Sequence, residues 1–225
     1  MITSASNPRL RLIRRLLESR RQREKEGLFA VEGEDLVQAA DDAGVDPVEL
    51  LRAGEDVDPE LLAKVSTMAH PPRVIGIYRQ EALPRGVEPV SLALWHVADP
   101  GNLGTILRAA DAFGASVALS PGCADPTGPK ALRASAGAVF RVPLADFDEP
   151  EGKRIALVSE GGRPLAGLDP GVPVTYVLGA ERDGLPEELV AASDESVTIP
   201  LVEGSESLNV AIAGAIALYE HRRGR

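Results

Sequence analysis

Apolar positions recur along this chain with two different periods, and the changes of period mark its elements. Leu10, Ile13, Leu16 and Leu17 fall on one face of a 3.6-residue repeat with arginines on the others, which predicts an amphipathic helix over residues 8–24 entered through Asn7 and Pro8. Short apolar runs predict a strand over 27–33 with Gly33 at its end, a strand over 48–51 and another over 74–78, with helices over 34–43 and from 59 to 64 between them. Residues 81–89 then have the proline, glycine and charge content of a linker. We therefore expect a domain over 1–82, a linker over 83–90 and a second domain over 91–225.

Beyond the linker the two periods alternate. Strands are predicted over 92–97, 117–119, 155–158, 174–178 and 197–199, and helices over 103–113 (closed by Gly114), 130–136, 186–192 and 208–222. Such alternation predicts an α/β domain with a mostly parallel sheet covered on both faces. In open sheets of that kind ligands sit beyond the carboxyl ends of the strands.

Composition narrows the function classes. No segment has the roughly 18 uninterrupted apolar residues of a membrane helix, and the N-terminus is too basic and broken for a signal-peptide apolar region, so a cytoplasmic protein with no membrane partner is expected. One cysteine, Cys123, excludes an internal disulfide and a thiolate zinc cluster, and His70, His96 and His221 are scattered, so no metal is expected. The formal net charge of −10 argues against nucleic acid only until its placement is considered. Arg9, Arg11, Arg14, Arg15, Arg20, Arg21, Arg23 and Lys25 face only Glu18 and Glu24 in the first helix, the next 35 residues are acidic, and a second small basic run closes the chain at His221-Arg-Arg-Gly-Arg225. A basic helix face is either a solvated surface or a phosphate contact, and pattern alone leaves both open.

Three stretches at predicted strand ends carry the candidate chemistry. In the first, His96-Val-Ala-Asp-Pro-Gly-Asn-Leu-Gly-Thr-Ile-Leu-Arg108, a turn at residues 99–102 leads into a helix that presents Arg108 about one turn inside. An amide, free backbone N–H groups and a fixed positive charge there suit a phosphate or a ribose edge, and the competing reading is a capping turn with Arg108 paired to Asp111 or Asp99. In the second, Val177-Leu-Gly-Ala-Glu-Arg-Asp-Gly-Leu185, Gly179 and Gly184 bracket a tight loop that presents Glu181, with room for a ligand plane. A plain connecting turn competes. In the third, Glu203-Gly-Ser-Glu-Ser-Leu-Asn209 joins a strand to an apolar, small-residue helix, and either Ser207 or Asn209 could be its N-cap. Neither a Gly-x-Gly-x-x-Gly nor a Gly-x-x-x-x-Gly-Lys-Ser/Thr fingerprint occurs, and Ser205 and Ser207 lack the Gly-x-Ser-x-Gly elbow, which sets aside dinucleotide, P-loop and serine-hydrolase readings.

In order, Asn102-Leu-Gly104 with Arg108 and Phe113-Gly114, then Gly179-x-Glu181-x-x-Gly184-Leu185, then Ile199-Pro200 with Ser207-Leu-Asn209-Val210 closely resemble the three motifs of the SpoU (TrmH) family of RNA ribose methyltransferases, within the SPOUT superfamily. The likeness spans about residues 91–222. Ile2-Thr-Ser-x-x-Asn-Pro8, the arginine-rich helix and residues 24–33 resemble the substrate-binding domain of many members, a small α/β fold akin to a ribosomal RNA-binding protein. One departure is that glycine arrives at Gly204, after Val202-Glu203, later than the third motif usually has it.

The resemblance implies a deep trefoil knot in the C-terminal domain and a homodimer through the knotted region. It implies S-adenosylmethionine as cofactor, held around Leu178, Gly179, Ala180, Ile199, Leu201, Ser207 and Leu208, and methyl transfer to an RNA ribose 2'-hydroxyl, ribosomal RNA before tRNA. It assigns the counterpart of Arg108 as activator of the hydroxyl, with Asn102, Glu181, Ser207 and Asn209 shaping the site. Because an arginine does not readily give up its proton, Arg108 holding the adjacent phosphate is the open alternative. The resemblance also turns the basic helix toward RNA phosphates, through Arg9, Arg11, Arg14, Arg15, Arg20, Arg21 and Arg23. An RNA-binding factor that keeps the fold without turnover is the rival from another class, and a resistance methylase remains a further variant.

Overall fold

The structure is a computed structural model and describes residues 1–202, 204 and 207–223; Glu203, Ser205 and Glu206 of the third stretch, and Gly224 and Arg225 of the terminal basic run, lie outside the described residues. The first eighty residues form α1 (Pro8–Glu18), α2 (Arg20–Glu26), β1 (Leu28–Glu32), α3 (Glu34–Asp42), β2 (Glu49–Arg52), α4 (Pro59–Val65) and β3 (Val74–Arg79). The strands pair antiparallel in the order β1-β3-β2. Asn7 starts α1 by accepting the Arg9 N–H on its side chain, with Pro8 at the first helical position. Leu10, Ile13, Leu16 and Leu17 of that helix are buried in one cluster with Ala30, Leu51, Ile75 and Ile77 of the sheet.

The single helix expected over 8–24 is two helices. Residues 18–26 contain no apolar residue to hold a core-facing stripe, and Ser19 leaves the helix at φ −134° to cap α2, accepting the Gln22 N–H on its hydroxyl. The break turns Arg23 inward, where it is buried. Its guanidinium bonds the Asp125 carboxylate at 2.7 Å and donates to the Leu16 carbonyl at 2.6 Å. Arg23 is therefore withdrawn from the expected RNA-contacting set: it clamps the two halves of the chain together.

The second half forms β4 (Val90–Leu94), α5 (Pro100–Phe113), β5 (Ser116–Leu119), α6 (Pro129–Ser135), β6 (Leu144–Asp146), β7 (Lys153–Leu157), β8 (Arg163–Pro164), β9 (Val174–Leu178), α7 (Glu187–Ala191), β10 (Glu195–Thr198) and α8 (Val210–Arg223). Seven strands pair in parallel in the order β6-β5-β4-β9-β7-β10-β8. β6 and β8 escape the sequence pattern because three and two residues are too few to show a period. One face of the sheet packs through Leu92, Leu94, Tyr176 and Leu178 against α5 and α8, and the other, built from Ala93, Ala118, Ala145 and Val177, carries Trp95, Phe147, Leu185 and Leu189.

The expected linker is held along this sheet: Leu144 N–H donates to the Pro84 carbonyl at 3.0 Å and Gly86 N–H to the Leu144 carbonyl at 3.1 Å. The two halves share a core in which Phe29 from the first stacks on Phe140 from the second, with Tyr78 tilted against the same ring. A side chain on Gly137 would collide with Ala39 of α3, so glycine there permits the close docking. The buried Glu32 carboxylate accepts from Ser66 at 2.6 Å and the Thr67 N–H at 2.7 Å within the first half, and across the seam from Arg133 at 3.1 Å.

Arg23→Ala is expected to lower unfolding free energy by about 3 kcal/mol, because it leaves Asp125 without its cation in a largely dry seam. Arg21→Ala, two residues away and exposed, is expected to change it by less than about 0.5 kcal/mol. Urea denaturation of the two variants checks the pair.

Candidate functional site

The three stretches converge at the carboxyl ends of the central strands, and hydrogen bonds join them. In the first, Asp99 caps α5, its Oδ1 accepting the N–H groups of Gly101 at 2.7 Å and Asn102 at 3.0 Å. The helix therefore starts at Pro100, earlier than its apolar pattern indicates. Lys130 donates to the other Asp99 oxygen at 3.0 Å. That hydrogen bond, with those from Asn102 and Gly101, holds the Asp99 carboxyl below its ordinary value despite some desolvation.

From the second stretch Glu181 reaches across to the first. Its carboxylate accepts from Asn102 Nδ2 at 3.0 Å, from the Asp99 N–H at 3.1 Å and from the Ala98 N–H at 3.3 Å. Partial desolvation pushes this carboxyl up, but the Asn102 and backbone hydrogen bonds outweigh it and hold it below the ordinary carboxylate value. From the third stretch Asn209 Nδ2 donates to Asn102 Oδ1 at 2.9 Å. Asn209 Oδ1 in turn accepts the N–H groups of Ala211 at 2.9 Å and Ile212 at 3.3 Å, so Asn209, not Ser207, caps α8.

These bonds border a cleft of about 570 Å³. Its wall includes Leu178, Gly179, Ala180, Ile199, Leu201, Ser207 and Leu208, the residues expected around a cofactor, together with Asn102, Glu181 and Asn209. Leu157, Val158 and Ser159, at and just after the end of β7, also line it. The sequence reading missed them, although the rule that ligands sit beyond parallel strand ends applied to that strand as well.

Two glycines admit neighbouring backbone. A side chain on Gly179 would collide with the backbone of Gly184 and Leu185, because Ala180 and Gly184 exchange N–H to carbonyl bonds of 3.0 and 3.1 Å and close the loop on itself. The missing side chain lets the loop close, and Gly179 also lines the cleft. Gly104 likewise admits the backbone of α6, where Ala134 and Ser135 would meet a side chain. Gly204 sits at φ +88°, so the late glycine of the third stretch occupies a left-handed turn position.

Arg108 does not line the cleft of its own chain. Its proposed structural partners are taken: Asp111 holds Arg141 in a bidentate pair at 2.7–3.2 Å, and Asp99 holds Lys130. Arg108 is exposed and has neither ion pair nor hydrogen bond among the described residues. On the basic helices Arg11, Arg14, Arg15 and Arg21 are exposed and equally uncommitted among the described residues, whereas Arg9 pairs with Glu49 at 2.9 Å. Arg20 donates to the Cys123 carbonyl at 3.0 Å and to Glu24 at 2.8 Å.

Comparison with known proteins adds to this geometry. Residues 89–219 match the SpoU rRNA methylase family model, and residues 7–82 match the MRM3-like substrate binding domain. An uncharacterized tRNA/rRNA methyltransferase of Synechocystis is 32% identical over 99% of this chain and 93% of its own length. The 23S rRNA (guanosine(2553)-2'-O)-methyltransferase RlmP of Bacillus subtilis is 28% identical over 99% of both chains. The AdoMet-bound rRNA methyltransferase structure from Sinorhizobium meliloti superposes with a TM-score of 0.87 at 30% identity, covering 99% of this chain and 97% of the other.

Because the Glu181 carboxyl sits below its ordinary value in the folded chain, its contribution to stability is present above the ordinary carboxylate range and is lost as pH falls through the folded value. Asn102→Ala removes a hydrogen bond that lowers it, so the acid limb of the unfolding midpoint against pH is expected to move to higher pH in that variant; an unmoved limb contradicts the assignment. Gly179→Ala is expected to destabilise by about 1–3 kcal/mol through backbone overlap, measured by urea denaturation.

Proposed function

The chain belongs to the SpoU rRNA methylase family, and from that membership we propose that it transfers a methyl group from S-adenosylmethionine to a ribose 2'-hydroxyl of RNA, ribosomal RNA before tRNA. It is an RNA methyltransferase that uses S-adenosylmethionine. The observation that carries the assignment of its site is the run of hydrogen bonds from Glu181 through Asn102 to Asn209, which ties three strand ends to one wall.

The residues of that wall fit the cofactor. The cleft volume lies within the range of about 300–1,000 Å³ that holds small ligands. Leu178, Ile199, Leu208 and Val210 supply apolar surface for an adenine ring, and Ser159 and Ser207 supply hydroxyls for a ribose or an amino-acid end. When bound, the cofactor supplies a methyl group on a positively charged sulfur. The loop from Gly179 to Gly184 is braced by its own backbone pair, which holds the stem from which Glu181 projects. Glu181 fixes the first stretch against the second and keeps a negative charge at the cleft rim.

The Arg108 guanidinium holds a phosphate beside the reacting hydroxyl, and a water or another group takes the hydroxyl proton. Its place outside the cleft of its own chain fits an active site completed by a second copy. On α8, Ile212 and Tyr219 are half exposed, and with Ile216 they make an apolar stripe suited to a homodimer through this domain. β10 lies between β7 and β8, and α8 then returns to pack on α5, which supports reading the passage of the C-terminal segment as a trefoil knot. The domain over 1–82 presents Arg11, Arg14, Arg15 and Arg21 to RNA phosphates, with Arg9 and Arg20 beside them. No helix among the described residues is long and apolar enough to cross a membrane, and with RNA as substrate the reading puts the protein in the cytoplasm.

Transfer of tritiated methyl groups to unmodified ribosomal RNA transcripts tests the assignment. Arg108→Ala is expected to lower kcat at least about 100-fold with cofactor affinity by calorimetry unchanged within threefold. Wild-type protein that binds the cofactor but methylates neither ribosomal RNA nor tRNA would instead identify a binding factor. Replacing Arg11, Arg14, Arg15 and Arg21 together by Ala is expected to reduce the slope of log affinity against log salt by roughly 3, and an unchanged slope rules that face out.

A further inference from the structure

The first stretch begins with a residue that the cleft does not use. His96 follows the last residues of β4 at φ +53°, a left-handed conformation uncommon for a residue with a side chain. Its backbone N–H is fixed by Ser120 Oγ at 3.0 Å, while its ring nitrogens bond nothing among the described residues. The backbone turn lays the imidazole flat on the indole of Trp95, with ring centroids 4.5 Å apart and planes 9° apart.

That stack is braced from below. Trp95 meets the buried Phe147 edge-on at 5.4 Å, and the Arg154 guanidinium lies over the Phe147 ring at 5.0 Å. The outer end is bare. His96 is exposed, and a side chain on its neighbour Gly122 would lie 3.3–3.4 Å from three atoms of the imidazole, so glycine there leaves the ring uncovered. The column is also registered to the cleft. Trp95 N–H donates to the Leu178 carbonyl at 2.8 Å, and Ala98 and Asp99, two and three residues beyond His96, hold Glu181.

A rigid aromatic column that ends in an open ring fits the flat face of an unpaired nucleobase, which any base can offer. A ribose 2'-hydroxyl reacts in line only when its nucleotide is held in place, and a protein ring stacked on an unpaired base supplies that hold. We propose that His96, supported by Trp95, stacks an unpaired RNA base at or next to the methylated nucleotide and so positions the substrate; this rests on the RNA methyltransferase reading above.

Trp95 is the single tryptophan of the chain, so its fluorescence reports on the column directly. Unmodified ribosomal RNA transcript is expected to quench Trp95 emission, and a fully paired RNA duplex to leave it unchanged. His96→Gly, which removes the ring and relieves the backbone, is expected to raise the RNA KM about 5- to 100-fold with kcat within about twofold and cofactor affinity unchanged. His96→Phe, which restores a stacking face, should return KM to within about threefold of the wild type. His96→Asn, tolerant of the left-handed turn but without a ring, gives the same reading where the glycine variant fails to fold. A His96→Gly enzyme with wild-type RNA KM, or RNA binding with no Trp95 quench, overturns the proposal and leaves the methyltransferase reading intact. If the wild type transfers no methyl group, that reading has failed instead, and the Trp95 quench with filter-binding affinities of the same variants still decides the stacking.

Discussion

The side-chain amide of Asn102 is the junction on which the site depends. An amide donates from one end and accepts at the other, and both ends are committed here: Nδ2 to Glu181, Oδ1 to Asn209. The direction of each bond follows from its neighbours. The N-terminus of α8 offers only donors, so Asn209 turns its oxygen to the helix and has only its NH2 left for Asn102. Glu181, ionised, only accepts, and receives the Asn102 NH2 with two backbone N–H groups. A carboxylate at position 102 or 209 would break this sequence of donors and acceptors. Residues 79 and 107 positions apart are thereby held in one wall, and the loop, the cap of α8 and the start of α5 share one geometry.

A second constraint sets how that wall faces the rest of the molecule. The seam between the halves holds two ion pairs with buried partners, Arg23 with Asp125 and Glu32 with Arg133, over a shared aromatic core. Two halves joined only by an exposed linker would move independently, whereas this seam fixes the basic surface of α1 and α2 relative to the cleft. The acidic excess of the chain does not preclude a basic surface, because charge is read where it stands. Glu49, Asp125 and Glu32 are matched to arginines, and Arg11, Arg14, Arg15 and Arg21 remain exposed.

Much of this was legible from residue pattern. Long periodic elements such as α1, α5 and α8 announce themselves through repeated apolar spacing, and the three polar stretches fall at strand ends where an open sheet places its ligands. What escaped was short or relational. β6 and β8 have too few residues for a period, and the split at Ser19 depends on a side-chain cap competing with a helix that has no apolar face left to bury. Arg23 and Arg21 look alike in a basic run, and only the inward turn of α2 makes one a clamp and the other a surface charge. The glycines show the same limit: Gly179 reads from sequence as room for a ligand plane, and which atoms approach it, or approach Gly104, is a tertiary fact. The wall residues Leu157, Val158 and Ser159 carry no motif, and only the position of β7 next to β9 brings them to the cleft.

We propose that one cleft, bordered by Glu181, Asn102 and Asn209, serves ribose methylation of RNA. The decisive measurement is a map of 2'-O-methyl groups across ribosomal RNA and tRNA from cells with and without this gene. At least one ribose methyl group is expected to be lost with the gene, restored by the wild-type protein and not by a chain carrying Arg108→Ala. Identical maps in the two cell lines would contradict it.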